Sequence, residues 1–109
     1  MRPRHLLPAL ALALTTVAAA AEDMASEVDR GGRLLHVNCG ACHATETDDD
    51  SLNATAPPFR DVARRYPPED LGEALAEGIV TGHPGMPEAV FEPDEVAAII
   101  AYLDWLRTR

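Results

Sequence analysis

The chain has 109 residues, 47% apolar and 25% charged, with a formal net charge of −9. That length supports one domain, and all nine of its cations are arginine. An acidic chain without lysine lacks the cations that neutralise phosphates, so neither nucleic acid nor an anionic lipid surface is an expected partner.

Arg2 and Arg4 precede an apolar run from Leu6 to Ala21, which ends in four alanines before Glu22 and Asp23. A basic start, a short apolar stretch and small residues at its end read as a secretory signal peptide. Residues 1–21 are therefore expected to be an address, and 22–109 the mature domain. The apolar run is 16 residues long, short of the roughly 20 that span a bilayer. Cleavage after Ala21 removes two arginines and no acid, leaving 88 residues with a net charge of −11. Domains of that size bury a modest share of their surface and commonly need a staple, a metal or a cofactor.

The elements follow in chain order. A first helix is expected from about Ala25 or Asp29 to Asn38, with Leu34, Leu35 and Asn38 at helical spacing. The acid-rich segment from Thr45 to Thr55, with Asp48, Asp49 and Asp50, reads as a solvated loop. Ala56-Pro57-Pro58 disfavours helix before each proline. A short helix is expected over Phe59–Arg65, with Phe59, Val62 and Tyr66 inward. Pro67-Pro68 then opens a helix with Leu71, Leu75 and Ile79 on one face and a stop at Gly82. Residues 81–87 hold two glycines and two prolines and cannot form regular structure. The last helix starts at Pro93 and carries Val96, Ile99, Ile100, Leu103 and Leu106 as its apolar stripe. No segment alternates with period two, so the fold class is all-α.

Cys39-Gly40-Ala41-Cys42-His43 carries the chemistry. Cys-x-x-Cys-His is the attachment signature of c-type haem. Each thiol adds to one vinyl group on the same porphyrin edge, and the next residue brings its imidazole to the iron. His43 would bind through Nε2 while Nδ1–H donates to a backbone carbonyl. Two other readings compete. A redox dithiol needs a strand-rich setting, and a zinc site needs four ligands, nominally Cys39, Cys42, His43 and His83. The adjacent Cys42 and His43 close one tetrahedron poorly.

Around these residues the sequence resembles the small class I cytochromes c of bacteria, over residues 25–108. The helix leading into Cys39-Gly40-Ala41-Cys42-His43, with Gly31 eight positions before the first cysteine and Leu35 four before it, is similar to theirs. So is the last helix, Ile99-Ile100-Ala101-Tyr102-Leu103. The resemblance implies a cytochrome c fold, with three to five helices around one covalently bound haem. The N- and C-terminal helices then cross, with Gly31 against Tyr102. It also implies a methionine as second axial ligand, and Met86, in the Gly/Pro-rich loop, is the candidate. The metal ligands would then be His43 and Met86, with His83 the rival. By the same resemblance the Pro57 carbonyl would accept the His43 Nδ1–H bond, with Pro58 the alternative. Arg60, Arg64, Arg65 and Tyr66 are candidate donors to the haem propionates, and Trp105 packs near the haem or lies at the surface.

The implied function is a monohaem carrier shuttling single electrons between periplasmic redox partners, not an enzyme. The alternative is a permanent haem c subunit of an exported dehydrogenase complex. A third class, an open-site gas-binding haem protein, would require that Met86 not bind. The lysine ring of mitochondrial-type relatives is missing here, so the partner's docking face should be basic or apolar.

Overall fold

The computed structural model describes residues 8–78 and 85–109, with side chains from residue 16 onward. Among these residues four α-helices follow one another: α1 (Pro8–Cys39), α2 (Phe59–Arg65), α3 (Gly72–Glu77) and α4 (Pro93–Leu106), with a 3-10 turn, Pro68–Leu71, leading into α3. No strand occurs among the described residues. The expected all-α class and cytochrome c fold hold.

Helix α1 starts well before the expected Ala25 or Asp29. The alanine- and leucine-rich run from Ala9 to Ala21 has the strongest helix formers in the chain, and nothing between it and Asn38 interrupts the backbone hydrogen bonds. Pro8 at the first turn loses no helical donor. Residues 16–26 are exposed throughout, and burial sets in only with Glu27 and Val28. From there Val28, Gly31, Leu35 and Cys39 recur at steps of three and four and face the core. No described helix is long and apolar enough to cross a membrane.

Helix α4 begins as its sequence demands. Pro93 occupies the first turn, and Glu92 and Glu95 form a reciprocal capping box, with Glu92 N–H donating to Glu95 Oε2 at 3.0 Å. Its apolar stripe buries Val96, Ile99, Leu103 and Leu106, with Tyr102 beside them. These residues pack on Leu35 of α1, Ala63 of α2, Leu75 of α3 and Phe91. The crossing of α1 and α4 is the main helix contact, and Arg30 of α1 pairs with Asp94 at its rim.

Two details differ from expectation. In α2 the buried residue is Ala63, while Tyr66 faces solvent at 50% exposure. Tyr66 follows the last helical residue, and its extended backbone (φ −125°, ψ 132°) turns the side chain off the helical face. The helix expected from Pro67 to Gly82 is instead the 3-10 turn plus α3, ending at Glu77. Gly78 stops it with φ of 99°, a conformation glycine adopts without strain. Ile79 and Gly82 lie outside the described residues.

Candidate functional site

Helix α1 ends at Cys39, and the chain continues in a tight turn. Cys42 N–H and His43 N–H both donate to the Cys39 carbonyl, at 3.1 and 2.9 Å. The turn holds both cysteines and His43 beside the helix end. Both thiols are free and half-buried. Burial pushes the Cys39 thiol up, and the neighbouring Cys42 adds to the shift. A thiol so raised is a poor match for the low-pKa nucleophile of a dithiol oxidoreductase. Among the described residues no cluster of three or more His, Cys, Asp or Glu side chains is arranged to hold a metal ion.

His43 is oriented from the next segment. Its Nδ1 lies 2.8 Å from the Pro57 carbonyl oxygen. A carbonyl only accepts, so Nδ1 carries the proton and Nε2 keeps a lone pair. The Phe59 ring packs on the imidazole, centroids 4.9 Å apart. Pro58 does different work: its carbonyl accepts the first amides of α2, from Asp61 at 3.0 Å and Val62 at 3.1 Å.

The residues after His43 are bonded at nearly every backbone group. Ala44 N–H donates to Ser51 Oγ at 2.9 Å, and the Ala44 carbonyl accepts from Phe59 N–H at 2.9 Å. Thr45, 2% exposed, donates its N–H to Asp49 Oδ2 at 3.1 Å. Its carbonyl accepts the Tyr102 hydroxyl at 2.5 Å. Glu46 N–H donates to Asp49 Oδ1 at 2.9 Å, and Arg60 Nη1 donates to the Asp49 carbonyl at 2.7 Å. Asp48 and Asp50 are solvated as expected, but Asp49 organises the loop. Its signal was present in outline, since an aspartate three or four residues after free amides can bond them. Burial, with the Glu46 and Asp49 carboxylates adding, pushes the Tyr102 hydroxyl up to about 12.

The other sequence-derived residues spread more widely. Arg60 is taken up by Asp49, and Arg64 donates to the Arg109 carbonyl at 2.6 Å. Trp105 stacks on Tyr102, ring centroids 5.4 Å apart, with the Arg109 guanidinium 4.8 Å from the centroid of the Trp105 ring. Met86 is half-buried and directly follows Gly85, whose φ is 92°. The loop containing it is pinned at its base. Phe91 N–H donates to the Leu75 carbonyl at 2.9 Å, and Glu88 packs where a side chain on Gly78 would stand. His83 lies outside the described residues.

Compared with known proteins, residues 26–103 match the family described as cytochrome c oxidase, cbb3-type, subunit III. The chain belongs to this family. No curated protein and no solved structure matches it. As a cytochrome c domain its chemistry is electron transfer on haem. The donor set suits that group: two free thiols on one turn, and an imidazole whose Nδ1 is already bonded to a carbonyl.

Proposed function

We propose that the chain is a monohaem c-type cytochrome, exported to the periplasm, that passes single electrons between redox proteins. Cys39 and Cys42 would hold the haem through thioethers. His43 Nε2 and the Met86 sulfur would hold its iron. When bound, the haem supplies a metal that takes up and gives back one electron.

The chain's own residues set the conditions. The Pro57 carbonyl fixes the imidazole ring and raises its donor strength through Nδ1–H. The neutral Met86 thioether favours the reduced metal and raises the potential relative to two imidazoles. With imidazole and thioether both bound, the iron would serve electron transfer rather than substrate binding. The observation that carries this reading is His43 held on Pro57 beside two free thiols.

Export rests on residues 1–21 acting as a signal peptide. The exposure of residues 16–26 supports cleavage after Ala21, because the residues flanking the cut are not part of the core. The net charge and the lack of lysine favour a partner with a basic docking face, in a weak, small interface.

The test is to produce the protein in cells competent in cytochrome maturation. The expected product is coloured, lacks residues 1–21, and has a mass one haem above the polypeptide after acid extraction of loose haem. Colourless material at the bare polypeptide mass overturns the reading.

A second reading is favoured by the family description, which names an oxidase subunit. In it the same domain is a fixed haem subunit of an exported oxidase or dehydrogenase complex. Sedimentation of native extract at moderate salt separates the two, since a free carrier runs at its own small size.

A further inference from the structure

Two strands of loop meet beside His43, and three successive bonds tie them together. His43 Nδ1 bonds the Pro57 carbonyl, Phe59 N–H bonds the Ala44 carbonyl, and Arg60 bonds Asp49. Only the first involves the imidazole. The second fixes the backbone on both sides of that bond, one residue after His43 and two after Pro57. The third closes the far end. Asp49 is bonded from both strands, by the amides of Thr45 and Glu46 on its own side and by Arg60 from the other. The Arg60 side chain is 20% exposed, the least of the ion-paired arginines described.

We infer that Asp49 and Arg60 are positioning residues that hold the Pro57 carbonyl on His43 Nδ1. The inference rests on the proposed role of His43 as an axial ligand. Without the Asp49 carboxylate, the amides of Thr45 and Glu46 lose their acceptor, and the Asp49 carbonyl that Arg60 bonds is no longer fixed in place; without the Arg60 guanidinium the tie across the loop is lost outright. In either case the Phe59–Ala44 bond is left as the main firm backbone tie between segments 57–60 and 43–49 beside the His43–Pro57 bond itself. The His43–Pro57 bond opens more often, with the rest of the fold in place. This assigns Arg60 to the protein's own loop rather than to a haem propionate.

The measurement is solvent exchange of the His43 Nδ1 proton, followed by NMR in the reduced, haem-loaded protein. In D49A and R60A this proton should exchange about tenfold faster or more, as expected for a local opening. D48A, at an exposed neighbour, should leave it unchanged. R60K keeps the charge and one bond and should recover part of the protection. It also carries the comparison if D49A yields no haem-loaded protein.

Unchanged exchange in both D49A and R60A overturns the clamp. So does an acceleration shared equally by the amides of Ile99 and Leu103 in α4, which reports general loosening. A wild-type protein with attached haem but no ligand-shifted His43 resonance defeats the axial-ligand reading instead.

Discussion

A methyl group on Gly31 would stand 1.9 Å from the Ala98 carbonyl oxygen, because α1 and α4 cross with backbone against backbone at this point. At the next residue, Gly32, a methyl group would stand 2.9 Å from a carbon of the Tyr102 ring. Glycine costs helix stability of about 1 kcal/mol relative to alanine. Two in succession inside α1 are offset by the close approach they permit.

Gly31→Ala should therefore destabilise the fold by about 3 kcal/mol or more, since the obstacle is backbone and cannot rotate away. Gly72→Ala is the contrast. Its added carbon meets only side-chain ends, Ile100 Cδ1 at 3.4 Å and Val96 Cγ1 at 3.8 Å, and its backbone is already helical. That variant should be neutral or gain up to about 1 kcal/mol. Urea unfolding of the two haem-loaded variants measures the difference, and equal midpoints would contradict the tight crossing.

Tyr102 should make stability fall in alkali. Its hydroxyl is raised from the ordinary tyrosine value of about 10 to about 12 by burial and the nearby carboxylates. The neutral phenol is thus favoured in the folded state. Its contribution is fully present below about pH 10 and is lost as the pH rises towards 12. The chain has no lysine to titrate in the same window. Unfolding stability measured from pH 8 to 12 should fall more steeply for the wild type than for Tyr102→Phe. At neutral pH that variant should be weaker by about 1 to 3 kcal/mol, because the buried Thr45 carbonyl loses its donor.

Met86→Ala should leave the haem attached but open one axial position and lower the reduction potential, because a thioether favours the reduced metal. Added imidazole should then bind and restore a six-coordinate spectrum. An unchanged spectrum and potential would move the ligand role elsewhere, with His83 the next residue to test.

Reduction by a partner with a basic docking face should slow as salt is added. Exposed charges interact over a Debye length of about 10 Å at 0.1 M and about 3 Å at 1 M. Rates measured across that range should fall steadily. Rates independent of salt would indicate an apolar docking face.

The legible parts of this protein are those that depend on neighbours in the chain. Cys39, Cys42 and His43 fall on one turn because their spacing requires it. Pro93, Glu92 and Glu95 mark the start of α4 through bonds no longer than one helical turn. The Ala/Leu run shows its limit, since the same pattern reads as an address and also makes a good helix, and α1 duly extends back to Pro8. The end of α3 shows another. The sequence places the expected stop at Gly82, but α3 ends at Glu77 before Gly78, whose φ is 99° and against which Glu88 packs.

Tertiary structure alone decided what Asp49 does and where Tyr102 points its hydroxyl. Three aspartates in a row look alike as sequence, and only the folded loop brings one of them to two amides and an arginine. Thr45 and Tyr102 are 57 residues apart, and no local pattern encodes their bond. It forms because α1 and α4 cross at Gly31, which carries the Tyr102 ring over the segment that follows His43. Covalent spacing determines which groups can react, whereas the crossing of distant helices determines how firmly those groups are held.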